Sequence, residues 1–344
     1  MSRNILHIFG WDPKFMPPFR DLVKNHFSHQ THRFIVHGVF DGAQLEPDPD
    51  MLVCQNLLSS SFLISREMRC ADQIIIHGLF SNHLLYLLFL NSQVLGKCHW
   101  VMWGGDLYVG RMEKKDWRWH KNEFFRRFVI KRLGYLVTYV PGDYLIAKEM
   151  YGAKGTYEEC IMYPSNVFHE ICETRKDRTV LRIQVGNSAD PTNLHHEIFR
   201  KLERFKESEI QVCVPLSYGD PVNAREVKRA GNEIFGEKFC AIDKFMSASK
   251  YAEYLSNIDI AIFNHSRQQG MGNIVKLLGM GKKVYLRQGV TSKGFFDGIG
   301  VKTFCVDNID VERLDETIAD NNSEIIRRFF SENKLIEQYK NIFE

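Results

Sequence analysis

The chain has 344 residues, 44% of them hydrophobic and 25% charged, which suits about two globular domains. That composition excludes a mainly disordered chain, a collagen-like repeat and a disulfide-dense mini-protein. With 45 Lys and Arg against 42 Asp and Glu, the net charge is +3. This is far from the basicity of a dedicated nucleic-acid binder, so no nucleic-acid partner is expected.

Short apolar runs alternate with longer amphipathic segments. In the first half, strands are predicted at 5–9, 34–38, 73–77, 99–102 and 135–140, with helices at 19–28, 60–69, 81–95 and 114–133. The second half repeats the scheme, with strands at 180–185, 210–214, 238–241, 258–263, 283–286 and 303–306. Its helices fall at 193–205, 222–235, 247–255 and 270–280. This alternation implies α/β domains with parallel sheets covered by helices on both faces. The domains are expected at 1–168 and 179–322. The charged stretch 169–178 is the linker, and a C-terminal helical segment, 323–344, returns to the first domain.

Eight cysteines stand at 54, 70, 98, 160, 172, 213, 240 and 305, never closer than twelve apart. No zinc or redox spacing results, and a reducing cytosol is expected. The run 74–90 is the most apolar, yet it is broken by His77, Gly78, Ser81, Asn82 and His83, so no spanning helix is expected. Residues 1–10 read as a first strand rather than a signal peptide.

Parallel sheets bind ligands beyond the carboxyl ends of their strands, so the strand-to-helix loops carry the candidate chemistry. The loop after strand one holds Gly10 and Asp12, where Asp12 is either a reactive carboxylate or a turn cap. His77 ends an apolar strand just before Gly78, placed to move a proton or to organise its loop. Trp103-Gly104-Gly105-Asp106-Leu107-Tyr108 combines close backbone approach, a carboxylate and two rings able to stack on a sugar. Asp106 is the first candidate to orient or deprotonate an acceptor hydroxyl, His77 the second and Asp12 the third. The competing reading of Asp106 is a helix cap.

In the second half, Gly186-Asn187-Ser188 forms a tight loop suited to a phosphate, or simply a capped turn. Pro215 and Tyr218 end another strand within reach of a nucleotide. Arg267-Gln268-Gln269-Gly270-Met271-Gly272-Asn273 opens a helix with free backbone N–H groups and a permanent cation, a diphosphate site. It lacks the Gly-Lys-Ser/Thr of an NTP-hydrolysing loop.

Residues 111–132 hold nine Lys or Arg against three acids, with Trp117, Phe124 and Phe128 on one helical face. With Arg126 and Arg127 nearby, that face suits an anionic membrane surface. A core-facing helix with a solvated basic side fits the same spacing.

The stretches WVMWGGDLY (100–108), VGNSADPTNLH (185–195), VCVPLSY (212–218) and RQQGMG (267–272), with His77-Gly78, occur in order across most of the chain. Together they resemble the TDP-N-acetylfucosamine:lipid II N-acetylfucosaminyltransferase family of enterobacterial common antigen assembly. The resemblance implies a GT-B glycosyltransferase, two Rossmann-like doubly wound domains facing a central cleft. It further implies a dTDP-linked amino-deoxy sugar as donor and an undecaprenyl-diphosphate-linked saccharide as acceptor at the cytoplasmic face of the inner membrane. No Asp-x-Asp-type metal motif is evident in these strand-end loops, so no metal or other cofactor is expected, and Arg267 with the helix tip would take its place. Two other readings stay open: a nucleotide-sugar epimerase or phosphorylase of the same architecture, and a non-catalytic membrane-surface scaffold.

Overall fold

The computed structural model describes residues 3–38, 48–54, 59–112, 115–170 and 179–344. Most of the expected linker, 171–178, and the start of the expected helix at 114 lie outside the described residues. The chain forms two compact units, one of Met1–Val167 with Glu332–Glu344 and one of Phe168–Ser331.

The first unit runs β1 (Asn4–Gly10), α1 (Met16–His26), β2 (Thr31–His37), β3 (Met51–Cys54), α2 (Ser61–Cys70), β4 (Gln73–His77), α3 (Asn82–Leu90) and β5 (Cys98–Val101). It continues through α4 (Gly105–Met112), α5 (Trp117–Ile130), β6 (Tyr135–Val137), α6 (Pro141–Tyr151) and β7 (Thr156–Glu158). Its seven strands pair in parallel in the order β3-β2-β1-β4-β5-β6-β7. The order reverses between β1 and β4, whose residues (Ile5, Ile8, Ile74, Ile75, Ile76) are sealed from solvent. A strand buried on both faces is dominated by apolar residues, and β1 buries one polar side chain among them, His7.

The second unit runs β8 (Leu181–Val185), α7 (His195–Leu202), β9 (Ile210–Pro215), α8 (Pro221–Phe235), β10 (Phe239–Ile242), α9 (Ala248–Ser256), β11 (Ile260–Phe263), α10 (Met271–Gly279) and β12 (Lys283–Leu286). Then come α11 (Thr291–Gly298), β13 (Phe304–Cys305) and α12 (Glu316–Phe329). This parallel sheet is ordered β10-β9-β8-β11-β12-β13 and reverses between β8 and β11.

The C-terminal segment departs from expectation. The expected segment 323–344 is divided between the units: α12 stays with the second unit, the chain breaks at Phe330–Ser331, and only α13 (Glu332–Phe343) belongs to the first unit. There the Tyr339 hydroxyl donates to the Met162 carbonyl (2.7 Å), and Gln338 Oε1 accepts from Ile161 N–H (2.8 Å).

Candidate active site

In a doubly wound sheet the ligand crevice lies beyond the strand ends where the order reverses. In the second unit that places it between the loops after β8 and β11, which are the two diphosphate loops read from the sequence. They are knitted together. Asn187 N–H donates to Asn193 Oδ1 (2.9 Å), His265 Nε2 lies 2.9 Å from the same oxygen, and the Thr192 hydroxyl sits 2.7 Å from Gln269 Oε1. Gly186 adopts φ +68°, and a Cβ there would come within 2.8 Å of Asn193 Oδ1 and His195 Nε2. Only glycine lets the backbone pass.

Gly270, at φ +69°, heads α10 with no side-chain cap. The helix N–H groups and dipole therefore open toward this crevice, with Gly272 and Asn273 in its first turn. Arg267 is half-buried beside them. Burial, and then the Arg267 charge, push His265 down to about 3, so it is neutral and the guanidinium is the cation of the loop. Asn187 and Gln268 are buried, and Asn187 Oδ1, Gln268 Oε1 and His195 Nε2 have no hydrogen-bond partner among the described residues. Buried polar atoms are rarely left so. Ser188 is also buried, its hydroxyl accepting from Asn193 Nδ2 (3.2 Å). The Tyr218 hydroxyl accepts from Asn187 Nδ2 (2.8 Å) while its ring stays half-exposed beyond β9, which ends at the buried Pro215.

In the first unit the reversal lies between β1 and β4, bounded by the loops holding Asp12, His77 and Trp103. Asp106 is fully buried, at the first turn of α4. Its carboxylate accepts from Leu79 N–H (2.9 Å), Trp100 Nε1–H (2.7 Å) and Trp103 N–H (2.9 Å). Arg126 closes the knot by donating to the carbonyls of Leu79 and Asp106. This carboxylate is therefore not offered to an acceptor hydroxyl; it ties the loops after β4 and β5 together. His77 is likewise buried, with both ring nitrogens engaged. Asp12 alone of the three is partly open, accepting from Lys14 N–H (2.8 Å).

Tyr108, expected at an acceptor, is buried, with its hydroxyl on Asp143 (3.2 Å). Trp103 is half-buried and leans on Phe15 (ring centroids 4.4 Å) and Phe80 (5.8 Å). Gly104 (φ +81°) lets the chain turn, and a Cβ on Gly105 would lie 3.2 Å from the Phe80 ring. Arg126 also departs from expectation, for a buried guanidinium holding two carbonyls faces no membrane. Phe128 packs on Phe89 (4.6 Å), whereas Trp117, Phe124 and Arg127 lie outward.

The comparisons with known proteins agree with this architecture. The family described as 4-alpha-L-fucosyltransferase, glycosyl transferase group 56, matches residues 13–323. The chain belongs to glycosyl transferase group 56. This is the family that the sequence motifs resemble. The transferase is also similar in structure to sucrose-phosphate synthase from Thermosynechococcus elongatus (TM-score 0.71, 11% identity, covering 99% of this chain and 98% of that one). It is similar to Anabaena HepE in complex with UDP and glucose (TM-score 0.69, 11% identity, 99% of each chain). A third is trehalose 6-phosphate synthase from Burkholderia multivorans (TM-score 0.60, 9% identity, 100% and 96%). The fold is that of GT-B glycosyltransferases, as expected.

Several residues of the transferase site were not singled out as candidates in the sequence. Asn193, His195 and His265 join the two loops of the second unit. Glu197 on α7 accepts from Asn264 Nδ2 (2.9 Å) and Arg287 (3.3 Å) at the ends of β11 and β12. Asn193 and His195 lie within the stretch 185–195 and His265 next to Arg267 at a strand end, whereas Glu197 had no signal in the sequence. Among the described residues, no three His, Cys, Asp or Glu side chains gather as metal ligands, and no helix is long and apolar enough to cross a membrane.

Proposed function

We propose that the transferase moves an amino-deoxy sugar, 4-acetamido-4,6-dideoxygalactose or a close relative, from a dTDP-sugar to a saccharide carried on undecaprenyl diphosphate. The setting is surface polysaccharide synthesis, of enterobacterial common antigen or O-antigen, at the cytoplasmic face of the inner membrane. The observation that carries this reading is the crevice of the second unit, where an uncapped helix tip, Arg267 and three buried polar atoms without a partner among the described residues converge. As the sugar–phosphate bond breaks, its electron pair leaves with the diphosphate. Arg267 and the α10 N–H groups meet that charge, which is the task a divalent ion performs elsewhere. The acceptor oxygen bonds to the anomeric carbon and loses its proton to a base. Asp12, the open carboxylate at the β1–β4 reversal, is that base; Trp103 and Phe80 stack on the acceptor sugar. Trp117 and Phe124, with Arg118 and Lys121 on the same helix, rest on the anionic lipid surface.

Calorimetry with dTDP tests the donor half. Arg267→Ala lowers dTDP affinity ten- to a hundredfold, the worth of a charge-assisted phosphate contact, and EDTA leaves turnover unchanged. Unchanged dTDP affinity in the variant removes the diphosphate assignment.

A further inference from the structure

Beneath the loops of the first unit, four buried side chains from four separate segments form one hydrogen-bonded file. His32 Nδ1 lies 3.0 Å from His7 Nε2, and His7 Nδ1 lies 3.1 Å from His77 Nε2. His77 Nδ1 lies 2.9 Å from the Tyr163 hydroxyl, which accepts from Trp103 Nε1–H at 2.9 Å. His7 is 0% exposed, Tyr163 1%, His77 3% and His32 8%, whereas Trp103 at the end of the file is half-buried. Phe9 stacks on His77 (3.7 Å), Phe34 stacks on His7 (4.7 Å), and Phe343 of α13 meets both His7 and His32 edge-on.

The proton positions follow in sequence from the donor-only end. An indole N–H can only donate, so the Tyr163 oxygen accepts from Trp103. The phenol's one proton is assigned to His77 Nδ1, its ring-nitrogen neighbour at 2.9 Å. A neutral His77 carries its proton on Nε2 and donates to His7 Nδ1; His7 in turn donates from Nε2 to His32 Nδ1. His32 is left with Nε2–H, and that buried atom has no hydrogen-bond partner among the described residues. Burial holds His7 and His77 well below the ordinary histidine range, and His32 near 4, so all three rings are neutral at pH 7.

We propose that this file is a positioning device: His32, His7 and His77 fix the direction of the Tyr163 hydroxyl, which aims Trp103 within the Phe15–Phe80–Trp103 cup that takes the acceptor saccharide. The inference rests on the acceptor reading of the first unit given above. Two features distinguish it from ordinary packing. Burying three imidazoles and a phenol costs desolvation that apolar side chains of similar size avoid. And the file runs along the reversal of strand order to a half-open ring, where ligands of doubly wound sheets bind.

The test uses the full chain. Tyr163→Phe keeps the ring and removes the oxygen. It raises acceptor KM about tenfold, with dTDP affinity unchanged. Trp103→Phe does the same, and the double variant is no worse than either. Long-range 1H–15N NMR finds His7 and His77 protonated at Nε2, and the Trp103 indole N–H resonance moves in Tyr163→Phe and on adding acceptor to the wild type. If acceptor leaves that resonance unmoved in the wild type, the acceptor reading of the first unit is wrong. If acceptor moves it but Tyr163→Phe changes neither KM nor the resonance, the reading stands and the positioning role is overturned. A His77 protonated at Nδ1 reverses the file, takes the Tyr163 proton away from His77 and overturns the proposed aiming of that hydroxyl.

Discussion

Asp106 illustrates how a single residue misleads at the scale of sequence. A carboxylate just past a strand, between glycine and aromatic residues, reads as a catalytic base or as a helix cap. Depth decides between them, and depth depends on Trp100, Leu79 and Arg126, which reach it from other segments. With three N–H donors on its two oxygens, its removal strands all three. Asp106→Ala is expected to cost about 3–5 kcal/mol of stability, read as a lower urea midpoint. Asp106→Asn keeps one accepting oxygen and costs less. A variant that loses turnover at wild-type stability and unchanged acceptor KM would return Asp106 to a catalytic role. The histidine file was illegible for a related reason. His7, His32, His77 and Tyr163 carry no shared motif, and only the pairing of β1 with β2 and β4 brings the three histidines together.

At the scale of elements, the central strands were legible because burial on both faces demands predominantly apolar runs. The strand expected at 73–77 is β4, and that at 283–286 is β12. The short edge strands β3 and β7 lack that demand and went unread. Helices α4 and α11 were missed because Gly105, Gly110, Gly294 and Gly298 give them the look of loops. Gly110 earns its place through crowding, for a Cβ there would sit 3.1 Å from the Tyr151 hydroxyl. The break between α12 and α13 hid inside a continuous helical periodicity. On α5 the expected face holds only in part: Trp117 is 69% and Phe124 60% exposed, whereas Arg126 points inward and Phe128 packs on Phe89. Arg118 lies over Trp117 (5.4 Å) and Lys121 over Tyr86 (5.3 Å), an arrangement of rings and cations suited to lipid headgroups. Replacing Trp117 and Phe124 together by Ser is expected to weaken binding to phosphatidylglycerol vesicles at least tenfold and to leave dTDP affinity untouched. Unchanged sedimentation with vesicles would remove the membrane role of this helix.

For the whole molecule, the buried histidines set how stability follows pH. Burial pushes His32, His37 and His195 down to about 4 and His265 to about 3, while His7 and His77 lie well below the ordinary value of 6.5. Each is neutral in the fold and takes up a proton on unfolding once the pH drops below 6.5. Their contribution to stability is therefore fully present above 6.5 and is lost as pH falls toward the folded values. Each such histidine adds a slope of about 1.4 kcal/mol per pH unit within that window. Between pH 6.5 and 5 most carboxylates remain ionised, so histidine dominates the slope there. Urea midpoints are expected to be level from pH 8 to 7 and to fall steeply from 6.5 to 5. His7, His32, His37 and His77 lie in the first unit against His195 and His265 in the second, so a probe in the first unit should fall faster. His265→Gln should flatten the profile of the second unit alone. Midpoints that stay level down to pH 5 would mean that these imidazoles ionise within the fold, and the neutral file from His32 to Tyr163 would fall with them.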